Sequence, residues 1–248
     1  MKKFLKIAAI VLVFAMIATF AACGGGGDKE KLVMVTNAEF PPYEYVEDGK
    51  IVGIDAEIAA LIAEKLGMEL EIVDVAFDSI IPGVQSGKYD MGMAGLTVNE
   101  ERLEKVSFST SYATGIQAVI VKEGSDIKTI DDLAGKKIGV QTSTTGDIYA
   151  TGDYGEEAIT RYDNGAVAVQ ALIADKVDCV IIDNEPAKSY VAANAGLKVL
   201  ETEYTVEDYA ICFAKDNTEL KDKVDAALKE LIADGSVQKI IDKYIPAK

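Results

Sequence analysis

From residue 32 onward, short β-branched runs alternate with stretches whose apolar residues recur every three or four positions. This alternation constrains the fold more than any single motif. Strands separated by helices pair mainly in parallel and carry helices on both faces of the sheet, which is α/β architecture. Residues 32–36 form the first β run. Ile58, Leu61, Ile62 and Leu66 then share one helical face, with Asp55 the expected N-cap and Gly67 just past the end. Residues 70–75 are the next strand, and 79–86 a short helix with Pro82 in its first turn. Residues 89–94 read as a strand. Thr97 and Glu100 have capping-box spacing for the helix that carries Leu103 and Val106. Residues 116–121 are a long β run.

The pattern then starts again. Strands are expected at 137–140 and 179–182, and helices opening at Thr144-Thr145-Gly146 and covering 166–174 and 186–195. A last strand at 209–214 precedes two terminal helices, 219–233 and 236–244. Two βα blocks joined by strands near 112–121 and 205–214 imply two lobes and a chain that crosses between them twice. The expected division is 32–112 with 210–248 as lobe I and 113–209 as lobe II. Binding sites in such sheets lie at the carboxyl ends of the strands.

Composition removes several function classes. The 248 residues carry 25 Lys plus Arg against 41 Asp plus Glu, a formal charge of −16. Phosphate neutralisation needs excess cations, so a nucleic-acid partner is not expected. There is no His, which excludes His-based nucleophile pairs, HExxH zinc sites and His-held haem. Cys23, Cys179 and Cys212 are far apart with no CxxC, so no metal site and no cofactor is expected. Cys179 and Cys212 read as small buried hydrophobes in different lobes.

The first residues are an export signal. Lys2, Lys3 and Lys6 precede an uncharged apolar run, and Ala21-Ala22 stand before Cys23. The run is shorter than the ~20 residues a spanning helix needs. Residues 1–22 are read as a signal peptide, and 23–31, with four consecutive glycines, as a flexible tether. The small pair before Cys23 resembles a bacterial lipobox, with Phe20 where Leu is usual. That resemblance makes Cys23 the lipidated mature N-terminus, an anchor on the outer face of the cell membrane or in the periplasm.

The strand ends hold aromatics, one Arg, hydroxyls at helix starts and a carboxylate: Phe40, Phe77, Thr97, Arg102, Thr144, Thr145 and Asp183. An α-amino acid zwitterion needs this set. Its carboxylate suits a guanidinium fork and backbone N–H groups at a helix start. Its ammonium suits a carboxylate and carbonyl oxygens. Arg is rare here, with only Arg102 and Arg161 in the chain, and Lys cannot supply the planar fork. Taken alone, Arg102 reads more readily as a surface helix charge paired with neighbours such as Glu101.

The stretches EFPPYEY, GKIVGIDAEIAALIAEKLG, FDSIIPGVQSGKYDMGMAGLTVNEERLEKVSFSTSY, DLAGKKIGVQTSTTGD and VDCVIIDNEPA resemble the bacterial extracellular solute-binding proteins of the amino-acid type, family 3. These are the receptors of ABC importers. The resemblance implies a two-lobed periplasmic-binding-protein fold (type II), with two mostly parallel sheets, flanking helices and a double-strand hinge near 112–115 and 207–209. It implies a monomeric receptor, not an enzyme, whose partners are a free amino acid and a membrane permease. By position, Phe40 and Phe77 are implied to sandwich the ligand side chain. Gly95 offers its carbonyl to the ammonium, and Thr97 contacts both ammonium and carboxylate. Arg102 clamps the carboxylate, Thr144 and Thr145 add to that clamp from lobe II, and Asp183 holds the ammonium. Side-chain selectivity falls to Asn37, with Glu39 and Gln141 as further candidates. In receptors for basic amino acids an acidic residue usually stands where Asn37 does. The expectation is therefore a polar neutral ligand, with a basic one (arginine, lysine, ornithine) as the alternative. A dehydratase of prephenate-like acids and a sensory module are alternatives of another class.

Overall fold

The computed structural model describes residues 29–201 and 204–246. The signal peptide, Cys23 and the glycine run lie outside the described residues. The chain begins with β1 (Lys31–Thr36), a small sheet of β2 (Glu39–Phe40), β3 (Glu44–Glu47) and β4 (Lys50–Val52), then α1 (Ile54–Leu66) and β5 (Glu69–Asp74). A 3-10 turn at Phe77–Ser79 leads to α2 (Ile80–Gln85), β6 (Met91–Gly92), α3 (Glu100–Lys105) and β7 (Val106–Phe108). The long β8 (Ala113–Lys122) then enters a second sheet. There follow β9 (Ile138–Gln141), α4 (Thr145–Tyr154), β10 (Ile159–Tyr162), α5 (Gly165–Ile173), β11 (Cys179–Asp183), α6 (Asn184–Ala193), β12 (Leu197–Val199) and β13 (Thr205–Tyr209). The chain returns to the first sheet through β14 (Cys212–Ala214) and ends in α7 (Thr218–Ala233) and α8 (Ser236–Tyr244).

The first sheet has the order β5-β1-β6-β14-β7, and the second β10-β9-β11-β8-β12 with β13 on β8. β1 runs parallel to β5 and β6, and β9 parallel to β10 and β11. The strands that arrive from the other lobe enter antiparallel. β14 opposes β6 and β7, while β8 opposes β11, β12 and β13. Each sheet is thus mixed, because every return crossing inserts a reversed strand into a βα-built sheet.

Both faces of the second sheet are buried, which explains its continuous apolar runs. Val119 and Val121 pack with Cys179 and Ile181 on one face, while Ile120, Val180 and Ile182 pack under Ala168 and Leu172 on the other. In the first lobe, Leu32, Met34 and Met91 meet Ile58 and Ile62 of α1 and Val224 and Leu228 of α7. The terminal helices therefore complete the core begun by β1. Cys179 and Cys212 are free, buried and on different sheets.

Asp55 does not cap α1. Gly53 occupies that position at φ 123°, and Asp55 lies in the first turn with its side chain fully buried. The carboxylate instead accepts the N–H of Gly95 and the hydroxyl of Tyr112, each at 2.9 Å. It joins the helix to the two segments beneath it rather than serving its own helix end.

β8 and β13 lie side by side at the crossing, with Glu207 opposite Gly115. A Cβ on Gly115 would stand 2.1 Å from the Tyr209 hydroxyl. Gly115→Ala is expected to cost about 1–3 kcal/mol by overpacking this crossing. Gly152→Ala, on α4 with nothing within 4 Å of the added carbon, is expected to raise stability by about 0.5–1 kcal/mol. Urea unfolding of both variants checks the pair.

Candidate functional site

The first-lobe side of the cleft is built at the ends of β1 and β6. Asn37 and Phe40 follow β1, and Gly95 and Thr97 follow β6. Gly95 has φ 51°, and a Cβ there would meet the Phe40 ring at 2.9 Å, so the close approach of ring and backbone requires glycine. Val98 N–H donates to Asp208 O at 3.0 Å and Ala210 N–H to Leu96 O at 3.1 Å, tying this loop to the second crossing strand. Asn99, not Thr97, caps α3: its side chain accepts Arg102 N–H at 2.8 Å. That leaves the Thr97 hydroxyl facing the cleft, 3.5 Å from the Thr145 hydroxyl of the opposite lobe.

The second-lobe side rests on the turn between β9 and α4. Thr144 caps α4 by accepting Asp147 N–H at 3.3 Å, and its hydroxyl donates to Gln141 O at 2.8 Å. The buried Asp147 accepts Ser143 N–H at 3.0 Å and Arg161 Nε at 2.9 Å. Arg161 also pairs with Glu156. The second arginine is thus committed to holding this turn in shape. Asp183 stands at the end of β11.

These elements enclose a narrow cavity of about 20 Å³, nearly closed by contacts between the lobes. Asn37, Phe40, Phe77, Gly95, Thr97, Arg102, Gln141, Thr144, Thr145 and Asp183 all line it, with Ala94 and Glu44. The lobes touch across it. Arg102 Nη2 donates to Ser143 O at 3.2 Å, Gln141 Nε2 to Asn37 Oδ1 at 2.9 Å and the Tyr190 hydroxyl to Glu39 O at 2.7 Å. Glu39 does not line the cavity. It sits on the short β2 with its side chain exposed, because strand alternation turns Phe40 inward and Glu39 out.

The cavity carries separated charges. Arg102 is 4% exposed, lies over the Phe77 ring at 5.5 Å and donates Nη1 to Thr97 O at 2.9 Å. Among the described residues it has no carboxylate partner within ion-pair distance. Burial lowers its pKa, opposed chiefly by the charge of Glu207. A desolvated guanidinium without a counter-ion costs several kcal/mol, so the position favours an anion. Asp183 is oriented by Gln117 Nε2 at 2.7 Å and by the Tyr209 hydroxyl. Burial, then the Glu207 charge, pushes its carboxyl well above the usual range.

Four residues that line or brace the cavity are absent from the sequence-based set: Glu44, Gln117, Glu207 and Tyr209. Glu44 is 1% exposed, lines the cavity, and has an Oε2 without a hydrogen-bond partner. The signal in the sequence is a lone acid inside the aromatic run Tyr43-Glu44-Tyr45. Gln117 Nε2 bridges Asp183 and Glu207, reaching Glu207 Oε2 at 2.9 Å, and the Thr145 hydroxyl donates to the same oxygen at 2.9 Å. Gln117 interrupts the apolar run of β8 between Ile116 and Ala118, while Glu207 carries no local pattern that marks it as buried.

Comparison with known proteins agrees with this architecture. The family model for bacterial extracellular solute-binding proteins, family 3, matches residues 32–247. The arginine-binding extracellular protein ArtP of Bacillus subtilis is 34% identical over 252 residues, covering 95% of this chain and 96% of that protein. The arginine-, lysine-, histidine-binding protein ArtJ of Geobacillus stearothermophilus superimposes with a TM-score of 0.84 at 37% identity, over 88% of this chain and 96% of its own. An ancestral arginine-binding protein bound to glutamine gives 0.83 at 40% identity, over 88% and 99%. The two-lobed fold is that of periplasmic binding proteins, whose members bind solutes for transport rather than catalyse reactions. The chain belongs to the bacterial extracellular solute-binding proteins, family 3.

Proposed function

We propose that this receptor captures a free L-amino acid with a basic side chain and delivers it to an ABC permease. One observation carries the choice of side chain. Three charged groups line the cavity: Arg102, Asp183 and Glu44. In this reading Arg102 takes the ligand carboxylate and Asp183, with the Gly95 carbonyl, takes the ammonium. The backbone N–H groups at the start of α4 add to the carboxylate grip, since the Thr145 hydroxyl is directed at Glu207. Phe40 and Phe77 flank the ligand. Glu44 is then left over, buried with a free acceptor, and a guanidinium or ammonium side chain would supply its partner. This moves the preference away from the polar neutral ligand expected from Asn37. All three of the similar proteins above are named for arginine binding, in line with the reading.

A neutral polar ligand is the second reading. It is favoured by the Gln141–Asn37 amide pair at 2.9 Å on the same cavity, since amides match an uncharged end group. One solved relative holds glutamine.

The lobes in this reading are 32–112 with 210–248, and 113–209. Ligand docks on one lobe, β8 and β13 flex near residues 112–115 and 207–209, and the other lobe closes. The permease reads the closed form. Cys23 carries a lipid that holds the monomeric receptor at the outer membrane face. No helix among the described residues is long and apolar enough to cross a membrane.

Titration calorimetry with arginine, lysine, ornithine, citrulline and glutamine tests the ligand. Arginine is expected to bind tightest, and binding of glutamine without any basic amino acid would overturn the choice. Arg102→Lys keeps the charge but loses the fork, so affinity should fall about 100-fold with unchanged circular dichroism. Glu44→Gln should weaken arginine at least about tenfold while leaving citrulline within a few fold. Cys23→Ser should move the exported protein from the membrane fraction to the soluble one.

A further inference from the structure

The lobes also meet outside the cavity wall, at the small sheet. β2 is the edge strand of that sheet, whose order is β2-β3-β4. Phe40 O accepts the Tyr43 N–H at 2.9 Å, inside its own hairpin. Alternation along the strand then turns the Glu39 carbonyl to the open edge, where no strand among the described residues supplies a donor. The donor comes from the other lobe: the Tyr190 hydroxyl of α6 reaches Glu39 O at 2.7 Å. The Tyr190 ring is held in place for this bond. It packs against the core of Ile120, Ala168 and Ile182. Gly165, the first residue of α5, makes room for it, since a Cβ there would stand 2.5 Å from Ile182 and 3.1 Å from the Tyr190 ring. Phe40, next to Glu39, packs against this same core as well as against that of its own lobe, and β2 lies on α5. Neither Tyr190 nor Glu39 lines the cavity.

We propose that Tyr190 latches the closed lobes: its bond to the Glu39 carbonyl sets how long a ligand is held and does not discriminate among ligands. The proposal rests on the lobe-closure reading above, not on the choice of ligand side chain. The other contacts across the cleft differ in kind. Asn37, Gln141 and Arg102 line the cavity, so what their bonds contribute depends on the ligand between them. A contact that bypasses the cavity stabilises the closed form by the same amount whatever lies inside. It must break before the cleft opens, so its loss speeds release more than it slows capture. The ring is already ordered within its own lobe, so little side-chain freedom is lost on docking. Donor and acceptor are both uncharged, so salt does not screen the bond. Burial raises the Tyr190 phenol above its ordinary value, which keeps it a donor. The acceptor is a main-chain oxygen, so the latch does not depend on the side chain at position 39.

The experiment compares the wild-type mature protein with Tyr190→Phe, which keeps the ring and removes only the hydroxyl, and with Glu39→Gln, which keeps the carbonyl. Calorimetry and stopped-flow tyrosine fluorescence with arginine and with glutamine give Kd, kon and koff, and small-angle scattering gives the compaction on binding. In Tyr190→Phe the Kd of each amino acid that binds is expected to rise by the same factor, about three- to tenfold, mainly through koff and equally at low and high salt. Glu39→Gln is expected to keep the wild-type koff. Unchanged Kd and koff in Tyr190→Phe overturn the latch, even where its urea midpoint falls, since Tyr190 is then a packing residue of its own lobe. Unequal losses for arginine and glutamine make the hydroxyl a ligand contact and overturn it as well. A wild type that binds without becoming more compact overturns the closure reading and the latch with it. If neither amino acid binds, the ligand reading fails and the latch is read from the empty proteins: Tyr190→Phe must be less compact than wild type, and equal radii overturn it.

Discussion

The pairing of β8 with β13 is the constraint on which the rest depends. These two strands carry the chain between lobes, and they also carry the polar groups that organise the cleft. Gln117 on β8 donates to Asp183 and to Glu207, while Glu207 on β13 accepts from Thr145. Tyr209 at the end of β13 packs on Gly115 and hydrogen-bonds Asp183. The proposed hinge and the proposed ammonium site are therefore parts of one hydrogen-bonded unit. In the proposed mode of closure, a movement of one crossing strand against the other would reorient Asp183 and Thr145 together, coupling ligand capture to lobe position.

Charge separation follows from that scaffold. Arg102 sits at one end of the cavity, held by the carbonyls of Thr97 and Ser143, which come from opposite lobes. Carbonyl dipoles orient a guanidinium but do not neutralise it, so the site holds an uncompensated cation at one end and oriented carboxyls at the other. A zwitterion cancels both at once. The affinity of such a site comes from finishing electrostatics that the fold leaves open, which is why its charged residues are buried yet unpaired, whereas Arg161, fully paired, serves only to shape a turn.

Much of this was legible in the sequence because its signals are local. Strand–helix alternation, Thr144 ahead of its helix and the single Arg after Thr97 each require only neighbouring residues. Asp55 shows where local reading stops. Its position before an amphipathic stretch is that of a cap, yet its partners are Gly95 and Tyr112, some forty and nearly sixty residues away. Glu207 and Gln117 fail for the same reason: each is a polar residue in a strand, and whether it faces solvent or a cleft is decided by a crossing that joins distant segments. Glu39 and Glu44 show it on the smallest scale. Both are acids on one short hairpin, and only the pleat and the cover from α1 decide that the second is buried and the first is not.

That difference bears on specificity. The side-chain end of the cavity offers two kinds of partner, an amide pair at Asn37 and Gln141 and a carboxyl at Glu44. An amide pair alone selects neutral polar groups and rejects cations for want of charge. A permanently ionised carboxylate does the reverse. Glu44 is buried with one oxygen unpartnered, so which kind of ligand the cleft favours is decided by the charge that reaches that oxygen.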